Sequence, residues 1–232
     1  MGAGKRISAS SPDPVSSLFS YSGDGQASTP TLKVSNVVVS GFGSAAFSSP
    51  WTSGGGISIT GNCNLELDSV MFQDMKGVYG GAVYIQSNAA STKLQNVSFE
   101  DIVSGYQGGA IFLESSPNVE VVGSTFSNCA VAYASTLGTG GAIHAVGSAG
   151  LSIVDTSFSE CRTEGGYGGA VYLGADTNGV SITNSSFEDN IGSEGTTAEV
   201  SCFRSECPYI SYVDRIDGIP TSMGCISISR VL

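Results

Sequence analysis

The sequence predicts an all-β chain: a right-handed, single-stranded parallel β-helix of about six coils. Three observations predict it. First, a Gly-Gly-Ala motif recurs as Gly80-Gly81-Ala82-Val83, Gly108-Gly109-Ala110-Ile111, Gly140-Gly141-Ala142-Ile143 and Gly168-Gly169-Ala170-Val171, after a degenerate Gly54-Gly55-Gly56-Ile57. Its first glycines are 26, 28, 32 and 28 residues apart. Second, a phenylalanine recurs in phase with it, at Phe72, Phe99, Phe126, Phe158 and Phe187, spaced 27, 27, 32 and 29. Third, the composition is poor for helices: Gly is 32 of 232 residues and charged residues are 12%, and Gly, Ser, Thr and Asn rank low in helix propensity.

The elements of one coil follow from alternation. Each Phe is preceded five residues back by Val34, Leu67, Leu94, Val121, Ile153 or Ile182 (Val39 holds the Phe position of the first unit), and two before those stand Leu32, Leu65, Thr92, Val119, Leu151 and Val180. This period of two marks a short half-buried strand. The Phe segment gives a second strand. Val83-x-Ile85, Ile111-x-Leu113 and Ile143-x-Ala145 give a third. Three short strands per unit, separated by Gly, Ser and Asn turns and lacking any 3.6 period, exclude ankyrin-like and tetratricopeptide-like repeats. In a parallel solenoid, equivalent residues stack about 4.8 Å apart, so the Phe residues form an interior column and Gly-Gly a recurring corner.

The chain divides into a Ser/Gly/Pro-rich N-terminal segment or cap (1–30), the β-helix (31–200) and a Cys-containing C-terminal segment or cap (201–232). A net charge of −11 with nine Lys plus Arg argues against a phosphate-tracking surface, hence against nucleic acid. It also disfavours anionic membranes, and no run of about 20 apolar residues suggests direct insertion. Residues 1–30 lack an apolar core of the signal-peptide type, so a processed piece or an unusual export signal is expected. The acidic, Ser/Gly-rich chain with an even number of Cys fits an oxidising, extracellular or cell-surface setting.

Gly-Gly-Ala-Ile together with Phe-x-x-Asn resembles the repeat of the chlamydial polymorphic outer-membrane proteins, a family of surface autotransporters and adhesins with pectin-lyase-like β-helical passengers. The resemblance covers roughly residues 31–200. Only Phe187-Glu188-Asp189-Asn190 ends in Asn; the other units end in Met75, Ile102, Cys129 and Cys161. The resemblance implies a non-catalytic surface protein, adhesin-like or structural, meeting a protein or glycan partner or other copies or segments of a larger assembly. The alternative is a pectin-lyase-like carbohydrate-active enzyme, a polysaccharide lyase or glycoside hydrolase. Against it, the Asn-Thr-Asp, Asp-Asp and Gly-His-Gly motifs of polygalacturonases are missing.

Stacking turns single residues into columns. Two residues after each Phe stand Asp74, Asp101, Asn128, Glu160 and Asp189. This stripe is a candidate site for Ca²⁺, a hard cation that takes carboxylate oxygens, or a solvated turn; no other cofactor is expected. Two residues after the motif's Ala stand Ser58, Tyr84, Phe112, His144 and Tyr172, with Tyr79, Tyr106 and Tyr167 just before the corners. Alternation points this aromatic column outward, as a candidate glycan or protein contact or a covered ladder. No catalytic residue is assigned. Asn96-Val97-Ser98 and Asn184-Ser185-Ser186 fit the glycosylation acceptor pattern, and both asparagines are expected at equivalent outer turns. Cys129 and Cys161 fall at equivalent positions; stacked thiols are favoured over a cross-coil disulfide, because ladder side chains point the same way. A local bridge between Cys202 and Cys207 is expected near the C-terminus.

Overall fold

In the computed structural model, the described residues are 5–8, 17–23, 29–43, 53–87, 90–132, 138–164 and 166–192, together with the backbone of four later strands, Val200–Cys202, Tyr209–Ile210, Val213–Ile216 and Ser227–Ile228. All strand pairings among them are parallel, and no helix occurs among these residues.

Each coil carries three strand faces. The first face stacks the start of Thr31–Ser40, the start of Asn64–Tyr79, then Thr92–Gln95, Val119–Val122, Leu151–Val154 and Ser181–Thr183. The second carries the phenylalanines, in the register Val39, Phe72, Phe99, Phe126, Phe158, Phe187. The third is a separate seven-stranded sheet running from Phe19–Gly23 through Ile57–Gly61, Val83–Gln86, Ile111–Glu114, Ile143–Val146 and Val171–Leu173 to Val200–Cys202. The sequence period therefore sets the register directly: what repeats in the chain stacks in space.

The phenylalanine column is the interior spine. Rings from Phe99 to Phe187 lie 4.7–4.8 Å apart and within 7° of parallel, and Phe72 stacks on Phe99 at 5.3 Å. All five are fully buried. Burial of such large apolar rings, repeated every coil, is the main favourable term available to a fold whose contacts run mostly between neighbouring coils. The aliphatic columns of the first and third faces close around it.

Polar ladders support the turns. Just before each Phe strand, the Ser124 hydroxyl accepts the Val97 N–H of the preceding coil at 3.2 Å and donates to the Val122 carbonyl at 3.1 Å. Thr156 and Ser185 repeat the arrangement one and two coils on. Buried backbone donors and acceptors at the bend thus find partners, which a buried turn requires. On the outer side of the first face, Lys33, Glu66, Lys93 and Glu120 stack with alternating sign, with ion pairs at 2.6 and 3.8 Å. These pairs are largely exposed, so each contributes at most about 1 kcal/mol.

Pairing also reaches outside residues 31–200. Lys5–Ser8 pairs with Thr31–Ser40, Phe19–Gly23 pairs with Ile57–Gly61, and Val213–Ile216 follows Ser185–Glu188. The solenoid stacking therefore begins inside the segment read as an N-terminal cap.

Candidate functional site

The acidic stripe has a backbone explanation. Asp74, Asp101, Asn128, Glu160 and Asp189 all adopt positive φ, between 51° and 55°. Each of these coils therefore passes through the left-handed region two residues after its Phe. Short polar residues, above all Asn and Asp, tolerate that conformation best among residues with a side chain. Asn128 donates its amide to Asp101 Oδ1 at 2.6 Å and accepts from Arg162 at 2.7 Å. Among the described residues no three His, Cys, Asp or Glu side chains converge to hold a metal ion. The stripe read as a candidate Ca²⁺ site is, in geometry, a turn ladder tied across coils by an amide and a guanidinium.

A second left-handed ladder lies three residues before each Phe: Asn36, Ser69, Asn96, Gly123, Asp155 and Asn184, with φ between 47° and 59°. Asn96 and Asn184 thus occupy equivalent turns, and both are exposed.

The aromatic column stacks on the outer side of the third face. Tyr84 lies on Phe112 at 5.5 Å and 3°, Phe112 on His144 at 5.0 Å, and His144 on Tyr172 at 5.1 Å. Tyr79 stacks on Tyr106 at 5.7 Å and tilts against Phe112 at 5.4 Å. The expectation of an exposed strip needs correction at its centre: Phe112 is 6% exposed and His144 3%. Their faces are covered by the rings above and below, and Tyr79 and Thr139, each just before a Gly-Gly corner, contact Phe112 and His144. Tyr79, Tyr84, Tyr106 and Tyr172 remain half-buried, whereas Tyr167 is 51% exposed. A stacked ring offers a partner its edge and its hydroxyl rather than its face.

His144 is consequently a ladder member. Its Nδ1 and the Thr139 hydroxyl are 2.7 Å apart and hydrogen-bonded. Burial lowers its pKa to about 4, against a hydrogen bond to the Thr139 backbone that favours the cation. Tyr84 is shifted upward, first by burial and then by Glu114 and Tyr79.

The repeat positions that end in Met75, Ile102, Cys129, Cys161 and Asn190 form one inner column after the acidic turn, all 0% exposed; the sequence reading pairs Cys129 with Cys161 but assigns the column no role. Asn190 accepts the Cys161 N–H at 2.9 Å and donates to the Phe158 carbonyl at 3.1 Å. Cys129 and Cys161 are free thiols. The Cys129 thiol is pushed well above the usual range by burial and then by its neighbour Cys161. Both thiols are fully buried, out of reach of an attacking partner. Cys207 lies outside the described residues, as does the Cys202 side chain, so the expected local bridge falls there too.

Two glycines make the corner for different reasons. Gly80 has φ of 58°. Gly81 does not need that freedom, but a Cβ on it would lie 2.5 Å from the Gly109 carbonyl oxygen and 2.6 Å from Ile102 Cγ2. Adjacent corners pack backbone on backbone, leaving no room for any side chain.

Residues 30–207 match the family described as the right-handed β-helix region. Neither curated proteins nor solved structures give a match. With its parallel three-faced stack and a family match over most of its length, the chain belongs to the right-handed β-helix family.

Proposed function

We propose that this chain is a non-catalytic β-helix module of an extracellular or cell-surface protein, adhesin-like or structural, akin to the repeats of the chlamydial polymorphic outer-membrane proteins. It meets a protein or glycan partner, or further segments of its own assembly, through the flank of the third face around Tyr79, Tyr84, Tyr106, Tyr167 and Tyr172.

One observation carries the reading. The chain's single histidine is sealed within a ring stack and held neutral. Many of the other side chains with acid–base or nucleophilic character serve the stack: Asp74, Asp101, Asp155, Glu160, Asp176 and Asp189 take left-handed turns, Glu66 and Glu120 pair with lysines of the neighbouring coil, and the thiols of Cys63, Cys129 and Cys161 are buried. General acid–base work requires a titratable group within reach of a substrate, and a buried rung is not within reach. The acidic balance of the chain also disfavours polyuronates, which are themselves anionic.

The experiment is direct. The full chain is incubated with polyuronates and with neutral polysaccharides, with and without Ca²⁺, and unsaturated and reducing ends are followed. No turnover is expected. Reproducible turnover, lost on mutation of a named side chain, would replace this reading with that of a carbohydrate-active enzyme. Antibody labelling of intact cells tests the surface location separately.

A further inference from the structure

We propose that Asn96 and Asn184 are N-glycosylated and that their glycans decorate a single edge of the solenoid, the turn between the first and second faces; this rests on the extracellular reading above. The acceptor pattern alone is a weak signal. The structure adds four observations. Both asparagines occupy the same turn column, three coils apart, or about 14 Å at the coil spacing. Both are exposed in the left-handed conformation, at φ of 53° and 47°. Both hydroxyls of the pattern, Ser98 and Ser186, fall in one outer column of the second face, beside that turn. The coils between them keep the edge low. Gly123 has no side chain, and an open groove of about 520 Å³ runs past Gly123, Thr125, Asp155, Ser157, Asn184 and Ser186. A sugar on Asn184 finds short polar groups along this groove.

The same column supplies its own contrast. Asn36 shares the turn conformation but is followed by Val37 and Val38, so it lacks the hydroxyl.

The chemistry is a group transfer that the cell's own transferase performs. The Asn side-chain nitrogen attacks the anomeric carbon of a lipid-pyrophosphate-linked oligosaccharide. The N–C bond forms as the C–O bond to pyrophosphate breaks. The amide proton passes to a base of the transferase, and the lipid pyrophosphate leaves. No electron donor or acceptor is needed. The resulting sugars hydrate this edge and leave the aromatic flank of the third face free for a partner.

The test is to secrete the full chain from a eukaryotic host behind an added leader and to map glycans by peptide-N-glycosidase F release in ¹⁸O water. The expected result is labelled deamidation at Asn96 and Asn184 and nowhere else. Ser98→Ala and Ser186→Ala should each remove one glycan, while Ser98→Thr and Ser186→Thr keep both. Gly123→Asn, which completes Asn-Ser-Thr in the same turn, should gain a third. A folded, secreted protein with both native sites empty, or with sugars at other positions, overturns the proposal. Failure of the surface location would instead show as absent labelling on intact source cells, whatever the secreted protein carries.

Discussion

The thiol of Cys161 lies 3.8 Å from the carbonyl oxygen of Phe126 in the preceding coil. Cys129 addresses Phe99 in the same way, and Asn190 reaches the equivalent carbonyl of Phe158 with its amide at 3.1 Å. One inner position thus serves one task across three coils, twice with a weak sulfur donor and once with a strong nitrogen donor. Asn190 also accepts the Cys161 N–H at 2.9 Å.

Replacement within this column should follow that chemistry. Cys161→Asn should be neutral or stabilising by about 0.5–1.5 kcal/mol, the net contribution of a hydrogen bond. Asn190→Ala should destabilise by about 1–3 kcal/mol or more, because it strips partners from two buried backbone groups. Urea denaturation of the purified variants measures both. An Asn190→Ala protein as stable as the parent would remove the column's role.

The phenylalanine spine should behave as a packed core. Phe126→Ala opens a gap between two stacked rings at 4.7 and 4.8 Å and should cost about 3–5 kcal/mol. Phe126→Leu should cost clearly less. Equal losses would mean that shape, and not buried volume, dominates.

Glycines in equivalent-looking turns should differ sharply. At Gly81 an added Cβ meets backbone atoms of the next coil, so Gly81→Ala should prevent folding or destabilise by several kcal/mol. At Gly123 it meets only the flexible Asn96 side chain, at 2.9 Å, and five neighbours in that column already carry side chains. Gly123→Asn should change stability by less than about 1 kcal/mol. Thermal melts of the two variants decide it.

The buried imidazole makes stability depend on pH. Its folded-state pKa is about 4, below the ordinary 6.5. The unfolded chain therefore binds the proton more readily, and the stabilising contribution is complete above pH 6.5. It falls as pH drops from 6.5 towards 4 and is then exhausted, a loss on the order of 3 kcal/mol. His144→Phe keeps a ring in the stack and should flatten this slope. An unchanged slope in that variant would assign the pH dependence elsewhere.

The legible part of this fold was the part with a conserved residue type per coil. Phe72 to Phe187 and the Gly-Gly corners announce their register because one residue type recurs at one phase. The column of Met75, Ile102, Cys129, Cys161 and Asn190 was legible as a repeat position, through Phe-x-x-Asn and the Cys129–Cys161 equivalence, but its hydrogen-bonding role was not, because burial is its only common property and burial accepts several chemistries. The acidic stripe was visible as charge although its cause is backbone conformation. The mixing of Asn128 into Asp74, Asp101 and Asp189 was the available signal, since Asn and Asp share tolerance of positive φ more than they share charge. Covering of Phe112 and His144 depends on neighbouring corners and on the stack itself, which alternation along one strand does not encode.

The central claim is that the side chains suited to chemistry are rungs of the stack, and the ionisation of His144 tests it most directly. Carbon-13 NMR of the imidazole, titrated in the folded protein, should show a single neutral ring down to about pH 4, unmoved by added polysaccharide. A midpoint near the ordinary 6.5, or a shift on adding a glycan, would mean that the ring is open to solvent and substrate, and would contradict the account.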